Sequence, residues 1–139
     1  MKKVTAAVIE RRGKVLIARR KAGGAQAGKW EFPGGTLERG ETPAQCLARE
    51  LREELGIQCR VGDLLAAGRG PGAASSFELL VFRIRDYEGS VRPLVHVEVR
   101  WVSPRDLASY DLAEADAWLL PRILAGLAGG AGEAGQEKK

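Results

Sequence analysis

The chain has 139 residues, room for one domain with a proper core and too few for two ordinary ones. With 45% hydrophobic and 29% charged residues it falls among globular proteins rather than disordered or fibrous ones, and no apolar run approaches the ~20 residues that span a bilayer. Its 22 basic and 18 acidic residues leave a net charge of +4 with no long basic run, which suits a small anionic substrate and argues against a stable nucleic-acid partner.

Met1-Lys2-Lys3 leads straight into an alternating strand pattern, not into an apolar signal core, so a cytoplasmic location is expected. Val4–Ile9 predicts a strand, Glu10–Gly13 a polar turn and Lys14–Ala18 a second strand, together a hairpin. Arg19–Gly28, rich in glycine and alanine, predicts a loop, and Lys29–Phe32 a short strand stopped by Pro33-Gly34-Gly35. The two cysteines, Cys46 and Cys59, belong to no CxxC or Cys/His cluster, which predicts reduced thiols and no zinc site.

The next helix carries its own start and stop signals. Thr42 is an N-cap, Pro43 suits the first helical position, and Gln45 completes a T-x-x-Q capping box, while Gly56 after Leu55 is a C-terminal stop. Ala44, Leu47, Ala48, Leu51 and Leu55 form an apolar stripe that predicts one packed face. Glu50, Glu53 and Glu54 lie off that stripe at offsets of three and four residues, which places them side by side. A hard divalent cation would take such carboxylates as ligands, with substrate phosphates completing its shell. A solvated charged helix with incidental Glu–Arg pairs is the other reading of the same spacing.

Further on, 60–65, 77–84 and 95–102 predict strands, the last two rich in β-branched and aromatic residues. Residues 68–76 predict a small-residue loop, and Ser103-Pro104 opens a short helix through Ala108. A final helix is expected over about 115–127, with Pro121 predicting a kink or a shifted start, and a disordered tail over 129–139. The domain is thus expected to occupy residues 1–128. Strands and helices interleave without regular βαβ spacing, which predicts an α+β mixed sheet with helices on its faces.

The segment from Gly35 to Ile57 resembles the Nudix box, G-x5-E-x7-R-E-U-x-E-E-x-G-U with U a bulky aliphatic residue. Gly35, Glu41, Arg49, Glu50, Leu51, Glu53, Glu54, Gly56 and Ile57 match all nine specified positions. The run RRKAGGAQAGKWEFPGG from Arg19 to Gly35, the run YDLAEADAWLL from Tyr110 to Leu120 and Trp101-Val102-Ser103-Pro104 are similar to segments of MutT-type nucleoside triphosphate pyrophosphatases. The resemblance implies an α/β/α sandwich with the box as loop–helix–loop. It further implies Mg²⁺ or Mn²⁺ as cofactor and hydrolysis of a nucleoside diphosphate linked to a further group. A nucleotide-pool-sanitising enzyme for oxidised or CTP-like (d)NTPs leads, ahead of one for dinucleoside polyphosphates, ADP-ribose or capped RNA. An intact box argues against a non-catalytic sensor.

The resemblance also implies site roles. Gly34, Glu50, Glu53 and Glu54 are expected to hold metal, with Glu50 or Glu53 as base and Glu41 and Arg49 steadying the carboxylates. Val95 stands where related chains carry an acidic ligand, so Glu98 becomes a candidate replacement, predicted to share a strand face with His96 and Arg100. Arg20 is expected on the phosphates, and Phe32, Phe77 and Asp116 around the base. The enzyme is expected to be a monomer or a homodimer.

Overall fold

The computed structural model describes residues 1–136. The predicted hairpin forms from β1 (Lys2–Arg11) and β2 (Lys14–Arg19), longer at their outer ends than the apolar runs alone indicate. Its turn has positive φ at both central residues, 51° at Arg12 and 78° at Gly13, the mirror-image turn whose twist suits flanking strands. β3 (Trp30–Glu31) pairs antiparallel with β2, and β4 (Gly34–Thr36), where the sequence predicts only a stop, pairs with β1.

The box helix α1 (Pro43–Leu55) has the predicted capping box at Thr42 and Gln45 and a left-handed Gly56 at its end. Leu47, Leu51 and Leu55 are fully buried, each contributing about 1.5–3 kcal/mol relative to an exposed side chain. Ala44, assigned to the same stripe, is exposed, and Cys46 is buried instead, its thiol within 3.4 Å of the Thr5 hydroxyl.

The strand expected over 60–65 is divided. β5 (Gln58–Arg60) pairs with β8 (Asp86–Glu88) in a small separate ribbon, and β6 (Leu64–Gly68) joins the main sheet beside β7 (Phe77–Ile84). Gly62 and Asp63 make the break: the Gly62 N–H donates to the Arg83 carbonyl, and the Arg83 N–H donates to the Asp63 carbonyl. The 68–76 loop contains a 3-10 turn at Gly72–Ser76. β9 spans Glu98–Val102, three residues shorter at its start than expected.

The main sheet runs β3-β2-β1-β7-β6, with β4 added to β1 and β9 to β2. It is mixed, because β1 and β7 are parallel while the other pairs are antiparallel. Ala7, Ile9 and Leu16 face α1. Ala6, Val8, Val15 and Ile17 face the last helix, α2 (Glu114–Gln136), through Leu119, Leu120 and Ile123. Period-two alternation along β1 and β2 therefore builds both cores of an α/β/α sandwich. α2 continues through Pro121, which is exposed, and past the end expected near Leu127; residues 137–139 of the expected tail lie outside the described residues. No described helix is long and apolar enough to cross a membrane.

Candidate active site

The glutamates of α1 are organised by one cation. The Arg49 guanidinium donates through Nε and Nη2 to the two oxygens of Glu41, at 2.6 and 3.1 Å. Its Nη1 donates to Glu50 at 3.1 Å and to Glu53 at 3.2 Å, and Glu38 lies 3.7 Å from Nη2. The paired guanidinium and the Glu38 N–H hold the Glu41 carboxyl down at about 2. Glu41 is thus a fixed anion paired with Arg49, and Arg49 in turn links it to Glu50 and Glu53. Glu53 is more than half exposed and is held by that single 3.2 Å contact.

The preceding glycines leave the necessary room. A Cβ on Gly35 would overlap the Glu50 carboxylate, and one on Gly34 would overlap the Thr5 carbonyl of β1. A side chain at Gly35 would therefore displace the acid from its place beside the sheet.

Glu54 points the other way, into a cleft of about 290 Å³ lined with Arg20, Glu31, Gly34 and His96. Burial, a hydrogen bond with Glu50 and the charges of Glu50 and Glu31 push its carboxyl up to about 9. Its Oε1 is buried without a partner, a condition that costs about 1–3 kcal/mol. A buried carboxyl with an orphaned oxygen, set beside a second carboxyl, suits a divalent cation, whose charge would reverse that pKa shift. No three acidic, imidazole or thiol groups among the described residues are gathered closely enough to enclose an ion unaided.

A second cavity, about 480 Å³, opens beside the cleft and shares Arg20, Glu31 and Gly34 with it. The four residues expected to bind substrate, Arg20, Phe32, Phe77 and Asp116, all line it. Its floor is set by a long-range junction: Trp30 N–H donates to Asp111 C=O at 2.9 Å and Ala113 N–H donates to Trp30 C=O at 2.7 Å, seating the start of α2 against β3. Asp116 then accepts from the Phe32 N–H at 2.8 Å. Burial, with the Glu31 charge adding to it, raises the Asp116 carboxyl to about 7 against the pull of the Phe32 N–H.

Glu98 is not brought to this group. In the β2–β9 register it lies opposite Arg19, and it pairs with Arg100 at 3.1 Å and Arg19 at 3.8 Å. Arg100 packs over the Trp30 ring, whose side chain belongs to the α2 face, so strand parity turns Glu98 away from α1. His96 precedes the strand and does not share that face; its Nε2 lies 2.9 Å from Glu31 Oε2. The acid that does stand in the cleft is Glu31, which the sequence reading passed over. Trp30 and Phe32 both point into the α2-side core, so alternation alone assigns Glu31 to the opposite face.

Known proteins resemble this chain over most of its length. A family model described as the NUDIX domain matches residues 1–123. The chain is 42% identical over 125 residues to the CTP pyrophosphohydrolase of Escherichia coli K12, covering 90% of this chain and 93% of that one. It is 36% identical over 135 residues to a putative 8-oxo-dGTP diphosphatase 2 of Mycobacterium tuberculosis, covering 90% and 92%. The solution structure of the E. coli ORF135 protein superposes with a TM-score of 0.81 at 42% identity, covering 90% of this chain and 89% of that one.

Proposed function

The chain belongs to the NUDIX family and is a hydrolase of phosphoanhydride bonds, and from that premise we propose that it is a nucleoside triphosphate pyrophosphohydrolase acting on CTP- or dCTP-like nucleotides and on oxidised ones such as 8-oxo-dGTP. The observation that carries this reading is the shared wall between the two cavities. Arg20, Glu31 and Gly34 line both, so a base lodged by Phe32, Phe77 and Asp116 directs its phosphates toward Glu50 and Glu54. A volume of about 480 Å³ suits a ligand of nucleotide size.

Within this reading, Asp116 faces the base edge. A carboxyl raised to about 7 offers both protonation states near neutrality, accepting from an amino group when ionised and donating to a carbonyl when neutral. Arg20 meets phosphate oxygens, for which a guanidinium fork is suited. Glu53, exposed and lightly held, takes the proton of the attacking water. The water oxygen bonds to the β-phosphorus and the bond from that atom to the α–β bridging oxygen breaks. Its electron pair leaves with the nucleoside monophosphate, and pyrophosphate is the second product. A divalent cation, Mg²⁺ or Mn²⁺, held by Glu50, Glu53, Glu54 and the Gly34 carbonyl would neutralise phosphate charge there. Arg49 keeps Glu50 and Glu53 on station throughout.

The reading is tested by assaying CTP, dCTP, 8-oxo-dGTP, the common (d)NTPs, ADP-ribose and dinucleoside polyphosphates with Mg²⁺. Equal yields of nucleoside monophosphate and pyrophosphate from one of the first three are expected. Orthophosphate release, or turnover confined to ADP-ribose or dinucleoside polyphosphates, would sink it.

A further inference from the structure

Three buried side-chain atoms lack a hydrogen-bond partner among the described residues: Arg20 Nε, Glu54 Oε1 and His96 Nδ1. All three residues line the 290 Å³ cleft. The Glu54 oxygen belongs to the carboxylate group discussed above; the other two belong to a separate arrangement centred on Glu31. One Glu31 oxygen accepts from Arg20 Nη1 at 2.9 Å, and the other accepts from His96 Nε2 at 2.9 Å. Arg20 Nη2 donates to the Ala25 carbonyl at 3.2 Å. His96 has no part in the reaction outlined above, yet its side chain is only 5% exposed.

The split grip on Glu31 is unusual for an acid beside arginine. A carboxylate and a guanidinium favour two parallel hydrogen bonds, fork to fork. Here the second oxygen is engaged by His96, so Glu31 holds Arg20 by one nitrogen only. The guanidinium is thereby anchored through both Nη groups, one to Glu31 and one to the loop carbonyl, and Arg20 is held in the wall that the two cavities share, with its Nε buried and unpartnered.

We infer that His96 is a positioning residue for substrate binding: by occupying one oxygen of Glu31 it prevents a two-pronged Glu31–Arg20 pair and keeps the Arg20 guanidinium in the shared wall of the two cavities, where it meets a phosphate of the nucleotide. The inference rests on the phosphate role given to Arg20 above. Without the imidazole, Glu31 turns both oxygens onto Arg20, and the guanidinium swings off Ala25 and out of the shared wall. The step from substrate to products is untouched, so the loss falls on KM and not on kcat.

His96→Met fills the ring's space without a donor, and His96→Gln returns a donor to the same side chain. In free enzyme labelled with ¹⁵N-arginine, the Arg20 Nε–H resonance is expected to move in His96→Met and to stay near its wild-type position in His96→Gln. Inorganic pyrophosphate is expected to shift that resonance in the wild type. With CTP, KM should rise about tenfold or more in His96→Met with kcat within about twofold, and His96→Gln should recover most of it. An unmoved resonance in His96→Met, or an equal rise in KM for both variants, overturns the inference. Absence of any (d)NTP hydrolysis by the wild type would instead strike the proposed function and leave the resonance test in force.

Discussion

The cleft at α1 and the cavity at α2 lie next to each other and are held together by different means. Beside the α1 cleft lies a charge cluster in which one guanidinium organises four glutamates, all drawn with it from residues 38–53, with the Thr36 carbonyl as a further acceptor. The α2 site is held by backbone pairing between segments more than 80 residues apart, with Asp116 locked to the Phe32 N–H. A charge cluster suits a reaction in which charge moves, because its members adjust to a cation and to phosphates. A backbone-fixed acid suits recognition, because its position does not depend on what binds. Substitutions should therefore separate cleanly, with changes at α1 reducing turnover for every nucleotide and changes at α2 altering the preference among them.

The largest effect is expected from Glu53→Gln, which keeps the exposed side chain's shape but cannot take a proton. Its kcat should fall roughly 10²–10⁴-fold, with the melting temperature unchanged. Near-normal turnover would show that the glutamates serve structure alone. Asp116→Asn should come next, changing the ratio of kcat/KM between CTP and 8-oxo-dGTP by about ten- to hundredfold, since it removes one hydrogen-bonding state from a buried group.

The same variant reports on stability. The Asp116 carboxyl is raised from 3.8 to about 7 by folding. Between those values the unfolded chain has released its proton and the folded chain has kept it, so stability falls as pH rises from about 4 to about 7. Thermal melts of Asp116→Asn over this range should show a flatter decline than the wild type. An identical decline would mean that the carboxyl is already ionised in the folded protein.

A smaller and conditional effect is expected for Arg49→Lys. A single ammonium cannot reproduce the paired bonds to Glu41 together with those to Glu50 and Glu53. Its melting temperature should drop in chelator and recover in part with Mg²⁺, which takes over neutralising the acids. The smallest effect belongs to Glu98→Gln, which should stay within about twofold of wild-type turnover, because this residue lies on the α2 face and pairs with Arg19 and Arg100. A loss of orders of magnitude there would restore Glu98 to the chemistry.

The two regions also differ in how readily a sequence displays them. The capping box, the Gly56 stop and the helical spacing of Glu50, Glu53 and Glu54 are local signals, complete within fifteen residues, and the structure forms that helix with those ends. Glu31 and Glu98 required knowledge of strand parity and register. A strand begun at Val95 would have put Glu98 and His96 on one face; the pairing of Glu98 with Arg19 and a strand start at Glu98 separate them. The contact between His96 and Glu31 joins residues 65 apart, and no spacing rule announces it. The break at Gly62-Asp63 is legible only afterwards, because it depends on which carbonyls of β7 are free to receive it.

The division of labour is tested most directly by measuring kcat/KM for CTP and for 8-oxo-dGTP, each with pyrophosphate detection, in wild type, Glu53→Gln and Asp116→Asn. Glu53→Gln is expected to lower both values by the same factor, and Asp116→Asn to change their ratio while leaving kcat for the better substrate within about tenfold of wild type. A ratio shifted by Glu53→Gln and unmoved by Asp116→Asn would contradict it.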